Sequence, residues 1–162
     1  MTDFAEAFNR GQEAALIAAK ARAQVDEVFE NAKMQLLEVT DGQLELGRAR
    51  FAKPKKRTNA AEFLASGALG SLFDNSPPEM ELWIAARNPK AVDAAWIKLA
   101  KWDRPTDGFP CLLSYDNKEV RCHDQESLAD AIAELLASSW GGEKLPELLN
   151  RPAKPDAAGA HL

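Results

Sequence analysis

The chain has 162 residues, 46% of them apolar and 28% charged, with a formal net charge of −5. That size suits one domain, or a small domain with an extension, and the apolar share is enough for a real core, which excludes wholesale disorder. No apolar run approaches the ~20 residues needed to cross a bilayer, so no membrane role is expected.

The charge is unevenly spread. Residues 1–47 carry four bases and nine acids, residues 48–57 (RARFAKPKKR) carry six bases and no acid, and residues 58–162 carry ten bases and sixteen acids. One short basic segment therefore sits between two acidic blocks. The opening MTDFAEAFNRGQEAALIAAK has acids before any base and no cleavage site after an apolar core, unlike a signal peptide. Two cysteines without an export signal predict a reducing, cytoplasmic setting.

Residues 3–33 read as a long helix rich in Ala, Glu, Gln, Lys and Arg, capped by Thr2 or Asp3. A stripe spaced alternately by four and three runs through Phe4, Phe8, Gly11, Ala15, Ala18, Arg22, Val25, Phe29, Ala32 and Leu36. That 3.5-residue period suits a seam between subunits, with Phe4, Phe8, Ala15, Ala18, Val25 and Phe29 as the oligomer interface. The other reading packs the same stripe on the chain's own body.

Asp41-Gly42 then reads as a two-residue hairpin turn, because both positions of that turn need positive φ. It would pair Val39 with Leu44 and Leu37 with Leu46, with a bulge at Gly47. After the basic exit, Thr58 or Asn59 caps a helix carrying Phe63, Leu64, Leu69, Leu72 and Phe73, which DNSPPE ends. MELWIAA (80–86) reads as a strand. Asn88-Pro89 then reads as the cap and first-turn proline of a helix to about Trp102, with Val92, Ala95, Trp96, Leu99 and Trp102 on one face.

A second hairpin, FPCLLSYDNKEVRCHD, turns at Asp116-Asn117, and Asp124 caps a helix that Gly141-Gly142 stops. A short helical turn around KLPELL and a flexible tail from Arg151 to Leu162 complete the chain. The expected fold is α+β: a long N-terminal helix, a β-hairpin, a helix, then strand–helix–hairpin–helix with a small, mainly antiparallel sheet. Its segments are 1–36, a helix for oligomerisation; 37–57, a hairpin with the basic exit; 58–150, the α+β body; and 151–162, the tail.

The chemistry that the residues offer is limited. Register counted about Asp116-Asn117 sets Cys111 opposite Cys122, with Leu113 and Val120 on the same face, and turns His123 to the other. The thiols then read as small apolar core neighbours, a disulfide being the alternative. Zinc would need two further ligands, and only His161 is to hand. His123 beside Asp124 is a candidate general base, against a plain histidine at a strand end. SGALGS (66–71) lacks the Gly-Lys-Ser/Thr of a phosphate loop. No catalytic residue, metal, cofactor or small-molecule substrate is indicated.

The basic segment is the candidate binding surface. Arg48, Arg50, Phe51, Lys53, Lys55, Lys56 and Arg57 offer several phosphate contacts and a ring for stacking. They equally suit an acidic protein partner, the chain's own acids, or a solvated linker. Trp96 and Trp102 read as core, the face of Trp83 is open, and Trp140 beside two glycines suits either core or a partly exposed anchor.

In its general style, short, acidic, Ala-rich and opening on a helix, the chain resembles small uncharacterised phage or prophage accessory and virion proteins. The resemblance implies assembly, or inhibition of a host protein through a surface, in the cytoplasm or in a virion. It rests on no single motif and transfers no site residue. The expected function is therefore a non-enzymatic, homo-oligomeric protein that binds itself or a host protein. The alternatives are a nucleic-acid-binding accessory protein using residues 48–57, or an enzyme of unrecognised type.

Overall fold

A computed structural model describes residues 1–54 and 77–155. Lys55, Lys56, Arg57, the expected helix at 58–73 and residues 156–162 lie outside the described residues. The described elements are α1 (Phe4–Val39), β1 (Glu45–Ala52), β2 (Met80–Arg87), β3 (Ile97–Asp103), β4 (Cys111–Tyr115), β5 (Lys118–Cys122), α2 (Gln125–Ala137) and α3 (Ser139–Leu149). The strands form a sheet in the order β1-β2-β3-β4-β5, with β2 to β5 antiparallel to their neighbours, so the class is α+β. By contacts the chain divides into residues 1–49 with 82–162, and residues 50–81. In the latter unit the Lys53 N–H donates to the Glu79 carbonyl at 2.8 Å, and the two side chains pair at 3.3 Å.

The Asp41-Gly42 hairpin does not form. Asp41 (φ 53°) and Gly42 (φ 80°) do take positive φ, but they close α1 instead. The Gly42 N–H donates to the Leu37 carbonyl at 2.7 Å and the Asp41 N–H to that of Glu38 at 3.4 Å, the double bond of a Schellman cap. Leu37 and Val39 are thus helical, and β1 begins only at Glu45. The Thr40 hydroxyl joins the two elements, donating to the Leu36 carbonyl and accepting the Leu44 N–H at 3.0 Å.

The helix expected from Asn88 to Trp102 is also absent. Asn88 is buried, its Nδ2 donating to the Leu148 carbonyl at 2.9 Å and its Oδ1 accepting the Lys90 N–H at 3.0 Å. That second bond makes an Asx turn, which competes with the helix-capping role of the same residue. The chain then runs irregularly to β3. A bulge between Ile84 and Ala85 leaves Leu99 as the extra residue of β3, so Leu99 and Ala100, neighbours in sequence, are both fully buried.

The second hairpin has the register counted from its turn. Cys111 faces Cys122, Leu113 faces Val120 and Tyr115 faces Lys118, with Asp116 (φ 48°) and Asn117 (φ 59°) both left-handed. Asp124 caps α2 in a capping box with Ser127, whose N–H donates to Asp124 Oδ1 at 2.7 Å.

The break after α2 falls at Ser138, before Gly141-Gly142. The extended Ser138 ends one helix and caps the next, its hydroxyl donating to the Leu135 carbonyl at 2.7 Å and accepting the Gly141 N–H at 3.2 Å. α3 therefore runs through both glycines to Leu149 instead of forming one short turn. Nor does the tail begin free at Arg151. The Val92 N–H donates to the Pro152 carbonyl at 2.8 Å and the Lys154 N–H to that of Lys90 at 2.7 Å, tying residues 151–154 to the loop after β2.

One core joins the sheet to the second half of α1, to α2 and to α3, with Leu46, Ile84, Leu99, Leu113, Leu128, Leu135 and Leu148 among its fully buried side chains. Each such leucine or isoleucine contributes roughly 1.5–3 kcal/mol of burial. Trp102 is core, meeting Phe29 edge-on at 5.0 Å, and Trp96 lies half-buried beneath the Arg87 guanidinium at 4.8 Å. Trp140 donates its indole N–H to the Leu99 carbonyl at 2.8 Å, anchoring α3 on β3.

Candidate functional site

α1 is one continuous helix with two different environments. Its start is fixed by Asp3, whose carboxylate accepts the Glu6 N–H at 3.0 Å. Every residue from Met1 to Ile17 is exposed, Phe4 at 78% and Phe8 at 64%. From Ala18 onward the same stripe is covered: Ala18, Val25, Val28 and Phe29 are buried. The cover begins where Arg22 donates to the Thr106 carbonyl at 2.7 Å and where Gly108 (φ 93°) lies so close that a Cβ would meet Ala21 Cβ at 2.6 Å.

Of the six expected interface residues, Phe4, Phe8 and Ala15 are thus open to a partner. Ala18, Val25 and Phe29 are not: the chain's own body covers them, with the loop of Thr106 and Gly108 beside α1 at Ala21 and Arg22 and with Trp102 of β3 on Phe29. The free part, residues 4–17, projects over about 21 Å at 1.5 Å per residue. Its apolar face carries Phe4, Ala7, Phe8, Gly11, Ala14 and Ala15, and a Cβ on Gly11 would meet nothing within 4 Å. The large apolar side chains exposed on this part are Phe4 and Phe8 on that face and Leu16 and Ile17 on other sides of the helix.

The basic segment is distributed differently from its charge count. The Arg48 guanidinium lies 4.4 Å from the centre of the Phe29 ring and pairs with Asp26 at 2.8 Å, with Arg104 reaching the same carboxylate at 3.7 Å. Lys53 pairs with Glu79. Arg50 is exposed and Phe51 half-buried.

A groove of about 830 Å³ runs between α1 and α2 and escaped the sequence reading. Val28, Leu36, Ile132 and Leu136 give it an apolar floor; Asp124, Glu126 and Asp130 give it an acidic rim. Among the described residues no His, Cys, Lys or Arg lines it. Its only sequence signal was the polar face shared by two helices nearly a hundred residues apart.

Both thiols are free and buried, and the Cys111 thiol donates to the Gly108 carbonyl at 3.1 Å. Burial, helped by the neighbouring Cys122, pushes Cys111 up to about 11, and burial pushes Cys122 up as well. Such thiols stay protonated at neutral pH and are poor nucleophiles and poor metal ligands. His123 is exposed at the end of β5. Asp124, held below the usual carboxylate range by its bonds from Ser127, is engaged as a helix cap. Among the described residues no group of three or more His, Cys, Asp or Glu is placed to hold a metal ion, and no helix is long and apolar enough to cross a membrane. Comparison with protein-family models, curated proteins and solved structures finds no match to the chain.

Proposed function

We propose that this is a non-enzymatic, self-associating interaction protein. The first half of α1 is its docking element, and its role is that of an assembly or inhibitory accessory factor. The observation that carries this reading is the split stripe: one apolar face of one helix is core over residues 18–36 and bare, with Phe4 and Phe8 outward, over residues 4–17. A helix end that earns no burial on its own body and still presents two phenylalanines gains stability by meeting a partner.

Light scattering of the whole chain at about 100 μM, where micromolar association is nearly complete, tests the reading. A dimer or larger species is expected, and Phe4→Glu/Phe8→Glu reduces it to monomer without moving the unfolding midpoint, since neither ring touches the core. A parent chain that is monomeric at that concentration overturns the reading.

Nucleic-acid binding through the basic segment is the weaker reading. Two of its described bases, Arg48 and Lys53, already face the protein's own carboxylates, which lowers the charge left for phosphates.

A further inference from the structure

We infer that two copies of the chain pair through the first half of α1 in antiparallel orientation, with Phe8 of each packed on Gly11 of the other and Phe4 on Ala15. The inference rests on the self-association reading above and specifies its partner, orientation and register.

Helices that pack along a 3.5-residue stripe stay about 8–10 Å apart, so successive layers of the seam must be of similar thickness. The exposed stripe is uneven along its length. Both rings, Phe4 and Phe8, lie at one end, and Gly11 and Ala15 lie at the other. A parallel pair would stack ring on ring in two layers, then leave Gly11 opposite Gly11 and Ala15 opposite Ala15. The helices would splay at one end or enclose a void at the other, and either loses packing.

Antiparallel pairing removes the mismatch. When facing residues have numbers that sum to 19, every layer holds one ring and one small residue. Phe4 meets Ala15, Phe8 meets Gly11, and the same two layers repeat by symmetry. Sliding one heptad further would set Phe4 on Arg22, whose guanidinium is already held by the Thr106 carbonyl. Sliding one heptad back would oppose Phe4 to Phe8 and shorten the overlap.

The chosen register also ends where the chain's own cover begins. Met1 of the second copy arrives opposite Ala18, the first buried residue of the stripe, so the pair continues an interface that the body already makes. The flanks allow close approach. Ala7 and Ala14 line one side and Ala5 and Gln12 the other, while Glu6, Arg10 and Glu13 point outward. Antiparallel helices also set their dipoles in opposition.

The area is modest. At ~200 Å² per phenylalanine, the exposed fractions of Phe4 and Phe8 amount to roughly 280 Å² per copy, or about 560 Å² for the pair. Even with the alanine and backbone surface between them, the seam stays below the ~1,200 Å² at which stable specific interfaces begin, in the range of weak, transient contacts. A dimer that exchanges with monomer is therefore expected.

Cysteine cross-linking of the whole chain decides the orientation, since Cys111 and Cys122 are buried and protonated and leave the background low. In the sum-19 register Ala7 flanks Ala14 of the second copy, whereas the two Ala15 positions are separated by about 16 Å, beyond disulfide reach. Under mild oxidation the double variant Ala7→Cys/Ala14→Cys forms a covalent dimer, and that dimer is lost in either single variant and does not form in Ala15→Cys. If Ala15→Cys cross-links alone, or if the double variant gains nothing over the singles while the parent sediments as a dimer, the antiparallel register is overturned and self-association stands. A parent that sediments as a monomer overturns both.

Discussion

Replacing Gly141 by alanine sets two effects of opposite sign against each other. Gly141 lies in the first turn of α3, and a glycine-to-alanine change inside a helix ordinarily stabilises by about 1 kcal/mol. Here a Cβ would fall inside contact distance of the Leu135 carbonyl oxygen, with the Leu135 carbonyl carbon at 3.3 Å and Leu136 Cα at 3.4 Å. These are backbone atoms, so no rotamer change relieves the overlap. Moving the carbonyl would loosen the bonds it accepts from the Ser138 hydroxyl and N–H, at about 1 kcal/mol each, and overpacking of this kind costs ~1–3 kcal/mol. The net expectation is a loss of about 2 kcal/mol, or about 4–8 °C in midpoint for a chain of this size. Gly142 is the internal control, because a Cβ there meets nothing within 4 Å; Gly142→Ala should raise the midpoint by up to about 4 °C. Thermal unfolding of the three proteins by circular dichroism reads both signs. A Gly141→Ala protein as stable as its parent would refute the tight joint between α2 and α3.

Three further outcomes follow from the same geometry. Cys111 and Cys122 keep their protons to higher pH in the fold than the ordinary 9.0, so the stability this brings is full below about pH 9; for Cys111 it falls as pH climbs towards 11, by up to ~1.4 kcal/mol per unit, and Cys122 changes stability in the same direction. Ellman's reagent at pH 8 should modify both thiols slowly in the native protein and at once in denaturant, and fast native labelling would count against the buried pair. Arg48→Met should destabilise by about 1–2 kcal/mol through Phe29 and Asp26 together, against under ~1 kcal/mol for Asp26→Asn, whose carboxylate is 59% exposed; equal urea-midpoint shifts would show that the ring contact contributes nothing. A peptide of residues 88–103 should turn helical in trifluoroethanol despite forming a turn and a strand in the protein, and a peptide without helix there would show that local preference never favoured the helix.

That last contrast shows where the fold was legible. Val92, Ala95, Trp96, Leu99 and Trp102 keep helical spacing, and Ala, Lys and Leu favour helix. The bulge at Leu99 hides the strand by breaking its alternation, and the bond from Asn88 to the Leu148 carbonyl, which holds the residue whose local bond to Lys90 makes the turn, comes from a helix sixty residues away. Asp41-Gly42 failed for a different reason. Two consecutive left-handed residues serve a hairpin turn and a Schellman cap equally well, and the helix arriving from Leu36 and Leu37 decides between them. The Cys111–Cys122 hairpin was legible because alternation, a two-residue turn and a capped helix after it all set the same register.

The candidate site divides along the same line between local and distant information. The stripe on α1 is a local property and could be read residue by residue, but its cover could not. Phe29 is closed by Trp102 and Arg48, and the stripe opens at Ala18 because Thr106 and Gly108 end there. Those contacts come from strands and a loop that follow α1 in the chain, so periodicity alone cannot tell a core seam from a subunit seam. Charge counting meets the same limit. Six bases in RARFAKPKKR weigh alike on paper, while the fold sets Arg48 over a ring beside Asp26, gives Lys53 to Glu79 and leaves Arg50 exposed. For the partner question, then, the informative quantity is the surface that remains uncovered once the distant residues have arrived. On the first half of α1 that surface carries Phe4 and Phe8 along the stripe, with Leu16 and Ile17 exposed on other sides of the helix.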